Sequence, residues 1–136
     1  MTFEEYFIED NRLSALKSFT SQRVKPTGDN TRYIYPSQWE IGTIYCSYND
    51  LVRALGKPLT NDISLTYRSF LQCSWNIVDD QNIGANIIGI TSANNTSPDD
   101  KQRWNVKVLD SSILKDNDKV EHLIKALENT VDGYFE

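Results

Sequence analysis

The stretch Ser47-Tyr48-Asn49-Asp50-Leu51-Val52-Arg53-Ala54-Leu55-Gly56-Lys57-Pro58 restricts the possible folds more than any other part of the chain. Ser47 can cap a helix N-terminus. Asp50, three residues on, puts negative charge in the first turn, where the helix dipole favours it. Leu51, Ala54 and Leu55 recur at i, i+3 and i+4 and give one apolar face. Gly56 suits the left-handed position past a helix end, and Pro58 stops the helix from resuming. The spacing predicts a short helix over 48–55 with firm ends.

The segments around it read as strands. Trp39 to Cys46 is rich in β-branched and aromatic residues, which predicts a strand over 41–46. In 65–78, Leu65, Tyr67, Leu71, Cys73, Trp75 and Ile77 share one alternating face. Thr66, Arg68, Gln72, Ser74 and Asn76 share the other, as in an antiparallel strand with one buried and one wetter face. Asp79-Asp80-Gln81-Asn82 reads as a turn, followed by a returning strand over 83–91. Gly84 and Gly89 within it imply bulges or a close backbone approach. Residues 92–101 form a polar loop. Trp104, Val106 and Val108 alternate in a strand over 103–109.

A last helix is expected over 118–131, with Val120, Leu123, Ile124, Leu127 and Val131 as its apolar stripe. The fold class is α+β: one domain over 31–136, with about four mostly antiparallel strands in the order β-α-β-β-β-α. The expected core includes Leu51, Leu55, Leu71, Cys73, Trp75, Trp104, Val106, Leu123, Ile124 and Leu127. Residues 3–20 carry a helical pattern, and 20–30 turn polar, so 1–30 reads as a helical arm with a linker.

Charge and cysteine use narrow the function. Net charge is −5 and no run of Lys and Arg occurs, so nucleic acid is not an expected partner. No apolar run approaches the ~20 residues that cross a bilayer, and the acidic N-terminus lacks a secretory pattern. A membrane partner is therefore not expected, and an intracellular setting is. Cys46 and Cys73 lack metal-type spacing and fall in strand-like segments, as buried reduced thiols do.

Catalytic parts are scarce. The one histidine, His122, falls on the last helix and reads as an ordinary helix-surface residue. The acidic pairs Glu4-Glu5, Asp79-Asp80 and Asp99-Asp100 read as solvated turns or element ends. There is no phosphate loop and no nucleophile elbow. No enzyme activity, cofactor or metal is expected. Tyr33, Tyr35 and Trp39 precede the first strand without periodicity, which makes them candidates for a protein interface. Arg68 and Arg103 lie on or beside strands near aromatics. They are candidates for an anionic, nucleotide-like ligand: guanidinium for phosphate, ring for base.

This order of elements, with Gly42, Ser47-Tyr48-Asn49-Asp50-Leu51-Val52, Gly56-Lys57-Pro58, Trp75 and Trp104-Asn105-Val106, resembles a group of small accessory proteins of bacteriophages and large DNA viruses. The likeness spans about residues 41–128. The chain departs from the group's pattern at the turn Asp79-Asp80-Gln81-Asn82-Ile83-Gly84 and at Ile88-Gly89-Ile90. The resemblance implies a viral origin, and with it the host cytoplasm or the virion as location. Together these readings predict a non-enzymatic viral accessory or structural protein that binds another protein or itself. The alternative is an oligomer that sequesters a host nucleotide signal.

Overall fold

The computed structural model describes residues 24–26, 36–58, 63–64, 70–92 and 96–136. Their strands form one antiparallel sheet: β1 (Val24–Pro26), β2 (Glu40–Ser47), β3 (Ile63–Ser64), β4 (Phe70–Asp79), β5 (Gly84–Ser92), β6 (Lys101–Val108) and β7 (Tyr134–Phe135). The strand order is β1-β4-β5-β6-β2-β7, with β3 also pairing with β4. The helices are α1 (Tyr48–Leu55) and α2 (Asn117–Thr130), with 3-10 turns at Ser37–Trp39 and Ser111–Lys115. The α+β class and the four long elements of the sheet agree with the sequence reading. The three extra strands are two or three residues long.

Differences from expectation have local causes. Val24–Pro26, inside a stretch expected as loop, pairs with Ile77–Asp79, and Val24 is buried. Its proline is tolerated because the strand lies at the sheet edge. Within the strand expected over 65–78, Phe70–Asp79 is described as β4, and Ser64 pairs with Phe70 and Ile63 with Leu71. Residues 65–69 lie outside the described residues. α2 starts at Asn117, one residue before the expected 118, with Asp116 as its cap accepting from the Lys119 N–H at 3.3 Å. The last residues return to the sheet as β7 once Gly133 is passed.

One face of the sheet carries the core. Ile44 and Cys46, Cys73, Trp75 and Ile77, Ala85 and Ile87, and Trp104, Val106 and Val108 pack beneath Leu51, Leu55, Leu123, Ala126 and Leu127 of the helices. Ile124 is only half-buried, on the flank of α2 rather than its centre. The Leu71 side chain lies outside the described residues.

Two tryptophans anchor this layer. Trp75 and Trp104 meet edge to face, with centroids 5.6 Å apart. Each indole N–H has a backbone acceptor, Gly56 O for Trp75 at 2.9 Å and Cys46 O for Trp104 at 3.0 Å. Both large rings are thus buried with their polar atoms satisfied. Gly56 holds a positive φ of 84°, which lets the chain leave α1 and offer that carbonyl. Gly89 leaves room for the Trp104 ring; a Cβ there would collide with it. Among the described residues no helix is long and apolar enough to cross a membrane.

Candidate functional site

The opposite face of the sheet has two unlike ends. Near the β4–β5 turn it is closed by polar groups. Asn86 Nδ2 donates to Ser74 Oγ at 2.7 Å and Asn76 Oδ1 at 2.9 Å, and all three residues are buried. The expected wetter face is therefore dry at this end, and its amides and hydroxyl satisfy one another.

At the other end, strand register assembles an exposed aromatic patch. Tyr45 of β2 pairs with Arg103 of β6 on one side and with Tyr134 of β7 on the other. The Arg103 guanidinium carbon lies 5.6 Å from the Tyr45 ring centroid, and the Tyr45 and Tyr134 rings are 5.3 Å apart. Arg103 Nε donates to Glu136 Oε2 at 2.6 Å. That hydrogen bond, with the charge behind it, raises the Arg103 pKa further. Backbone bonds between Thr43 and Glu136, at 2.9 and 2.8 Å, hold the C-terminal strand in place. Ile88 and Ile90 lie on the same side of the sheet, since Ile87 between Ile88 and Asn86 points into the core. Ile90 is 63% and Tyr134 51% exposed. The patch is aromatic and aliphatic around an ion pair of zero net charge.

Of the residues singled out from sequence, Arg103 is in this patch. Trp39 ends the 3-10 turn and is half-buried against the core, so part of its surface is already spent. Tyr33, Tyr35 and Arg68 lie outside the described residues. Sequence reasoning missed Tyr45, Tyr134 and Glu136. The strand-forming pair Tyr134-Phe135 after Gly133 was the available signal.

A second cluster brings together residues that the sequence reading kept apart. Asp79 ends β4, and its Oδ1 shapes the turn by accepting from the N–H groups of Gln81 at 2.9 Å and Ile83 at 2.8 Å. Its side chain is fully buried, and Oδ2 accepts no hydrogen bond. His122 of α2 reaches over the turn, placing Nε2 3.7 Å from that Oδ2 and 2.5 Å from Asp80 Oδ1. Asp79 is thus not a solvated turn residue, and His122, with its side chain 21% exposed, is not an ordinary surface histidine. The packing of α2 over the hairpin end joins residues 42 apart in sequence.

Asp50 provides the contrast. Its Oδ2 accepts from the Ser47 N–H at 2.9 Å, its own N–H donates to Ser47 Oγ at 3.0 Å, and Arg53 pairs with Oδ1. Burial pushes its pKa upward, but the Ser47 backbone and hydroxyl and the Arg53 guanidinium outweigh that and hold it below the ordinary value. Both oxygens of Asp50 have donors; one oxygen of Asp79 has none. The two thiols are free and buried. Burial, helped by the Asp50 charge, pushes Cys46 up to about 12, and burial alone raises Cys73. Neither is a ready nucleophile at neutral pH.

No family model matches this chain, and no curated protein or solved structure does.

Proposed function

We propose that this is a non-enzymatic interaction protein of viral origin, which binds another protein or itself through the outer sheet patch of Tyr45, Ile90, Arg103 and Tyr134. The observation that carries this reading is the Arg103–Tyr45–Tyr134 stack, exposed at Arg103 and Tyr134, half-buried at Tyr45 and already neutralised by Glu136. Tyr and Arg are the residue types enriched at the energetic centres of protein interfaces. Because one patch holds both charges, it complements its own copy across a twofold axis, where each pair can exchange partners. A second copy is therefore the partner that the patch fits best. The viral origin rests on the resemblance of residues 41–128.

The nucleotide-sequestering alternative draws support from the same guanidinium on a ring. Against it, Glu136 occupies the guanidinium and would repel a phosphate. Two measurements separate the readings. Light scattering over a concentration series should give a mass rising to that of a dimer. Adenine and guanine nucleotides at millimolar concentration should leave the melting temperature unmoved. A monomer throughout would overturn self-association, and an oligomer whose melting temperature one nucleotide raises would favour the alternative.

A further inference from the structure

We infer that Asp79, Asp80 and His122 form a binding site for one divalent cation of the zinc class, fastening the β4–β5 turn to α2. The donor atoms converge: a carboxylate oxygen from each aspartate and an imidazole nitrogen all lie within 4.8 Å of one another. What distinguishes this cluster from a surface acidic group is Asp79 Oδ2. It belongs to a fully buried side chain, faces His122 and accepts no hydrogen bond, while its sister oxygen is held by two backbone N–H groups. Buried carboxylate oxygens are normally paired, hydrogen-bonded or bound to metal. The two N–H bonds fix the orientation of the carboxylate, as outer contacts do for metal ligands.

The spacing suits a small ion. Bonds of about 2.0–2.1 Å in tetrahedral geometry put ligand atoms roughly 3.3 Å apart. The Asp79–His122 separation of 3.7 Å and the Asp80–His122 separation of 2.5 Å lie on either side of that value. Asp80, at the turn, has a side chain 46% exposed. One imidazole and two carboxylates favour Zn²⁺ over Ca²⁺ or Mg²⁺, which prefer all-oxygen shells. Two negative charges and a neutral ring balance a dication. Three protein ligands leave the fourth position to water or an outside group.

The probe is Zn²⁺ alone, titrated calorimetrically into the chelator-stripped full chain. Wild type should bind one equivalent and melt at a higher temperature with metal than without. His122→Ala and Asp80→Asn should each weaken binding by at least about 10-fold, the lower end of the loss that follows when even an outer contact to a metal ligand is removed. Glu121→Gln, exposed on the same helix, should bind as wild type does. Co²⁺ in place of Zn²⁺ should give the visible bands of a nitrogen and oxygen site without thiolate charge transfer, which separates the cluster from Cys46 and Cys73. Melting of the metal-free variants checks that each is folded. No zinc uptake by wild type, or uptake unchanged by His122→Ala in the folded variant, overturns the site.

Discussion

Two aromatic clusters flank this sheet, and they differ in what has been done with them. On the inner face Tyr48, from the start of α1, packs on Trp75 and Trp75 on Trp104, and both indole N–H groups end on backbone carbonyls. On the outer face Arg103 lies over Tyr45, which packs against Tyr134, yet Tyr134 remains half in solvent and Ile90 on the same side of the sheet is largely bare. The two indoles of the inner cluster are buried with their N–H groups satisfied within the chain. The outer one is held in place by strand pairing and retains surface for another molecule. Rings of similar chemistry thus serve stability on one side and, in our account, association on the other.

Substitutions should divide the two faces sharply. The largest effect is expected at the inner one. Trp104→Ala should cost about 3–5 kcal/mol in urea unfolding, through lost transfer energy and the cavity left behind. A cost near zero would mean that the inner cluster is not the centre of the fold. Gly89→Ala comes next, at about 1–3 kcal/mol, because its methyl group must displace the Trp104 ring. The same change at a glycine of an open sheet face would cost far less, so this variant reports on how tightly the inner face is closed.

A smaller effect belongs to the cap that positions α1 over that face. Ser47→Ala should lose about 0.5–2 kcal/mol. Asp50 adds a pH dependence of known sign. Its folded pKa is below the ordinary 3.8, so its contribution is complete above that value and fades as pH falls from there through the folded pKa. Unfolding midpoints at about pH 6 and about pH 3 should therefore differ more for wild type than for Asp50→Asn. Equal differences would remove Asp50 from the acid response. The smallest effect on stability belongs to the outer face. Ile90→Ser should change unfolding free energy by no more than about 0.5 kcal/mol, as exposed positions usually do.

Local signals explain why the inner face was legible in the sequence. The capping pair Ser47 and Asp50, the alternation of Cys73, Trp75 and Ile77, and the helical stripe through Leu123 and Leu127 each lie within one element. Each names its own buried side. The outer patch was not legible because Tyr45, Arg103 and Tyr134 come from three strands, and only their register brings them together. For the same reason Asp79 and His122 gave no hint of meeting. Asp79 carried an ordinary turn signature, and nothing in α2 indicated that its His122 flank would lie over that turn. Val24–Pro26 was missed because a three-residue edge strand lacks the length for a period to be visible.

The most direct test of the outer patch as an association surface is light scattering of the Ile90→Ser, Tyr134→Ala double variant beside wild type, with both melting curves recorded. The account predicts a wild type whose mass climbs to that of a dimer with concentration, and a variant that stays monomeric while melting within a few degrees of wild type. A variant that dimerises as readily as wild type would contradict it.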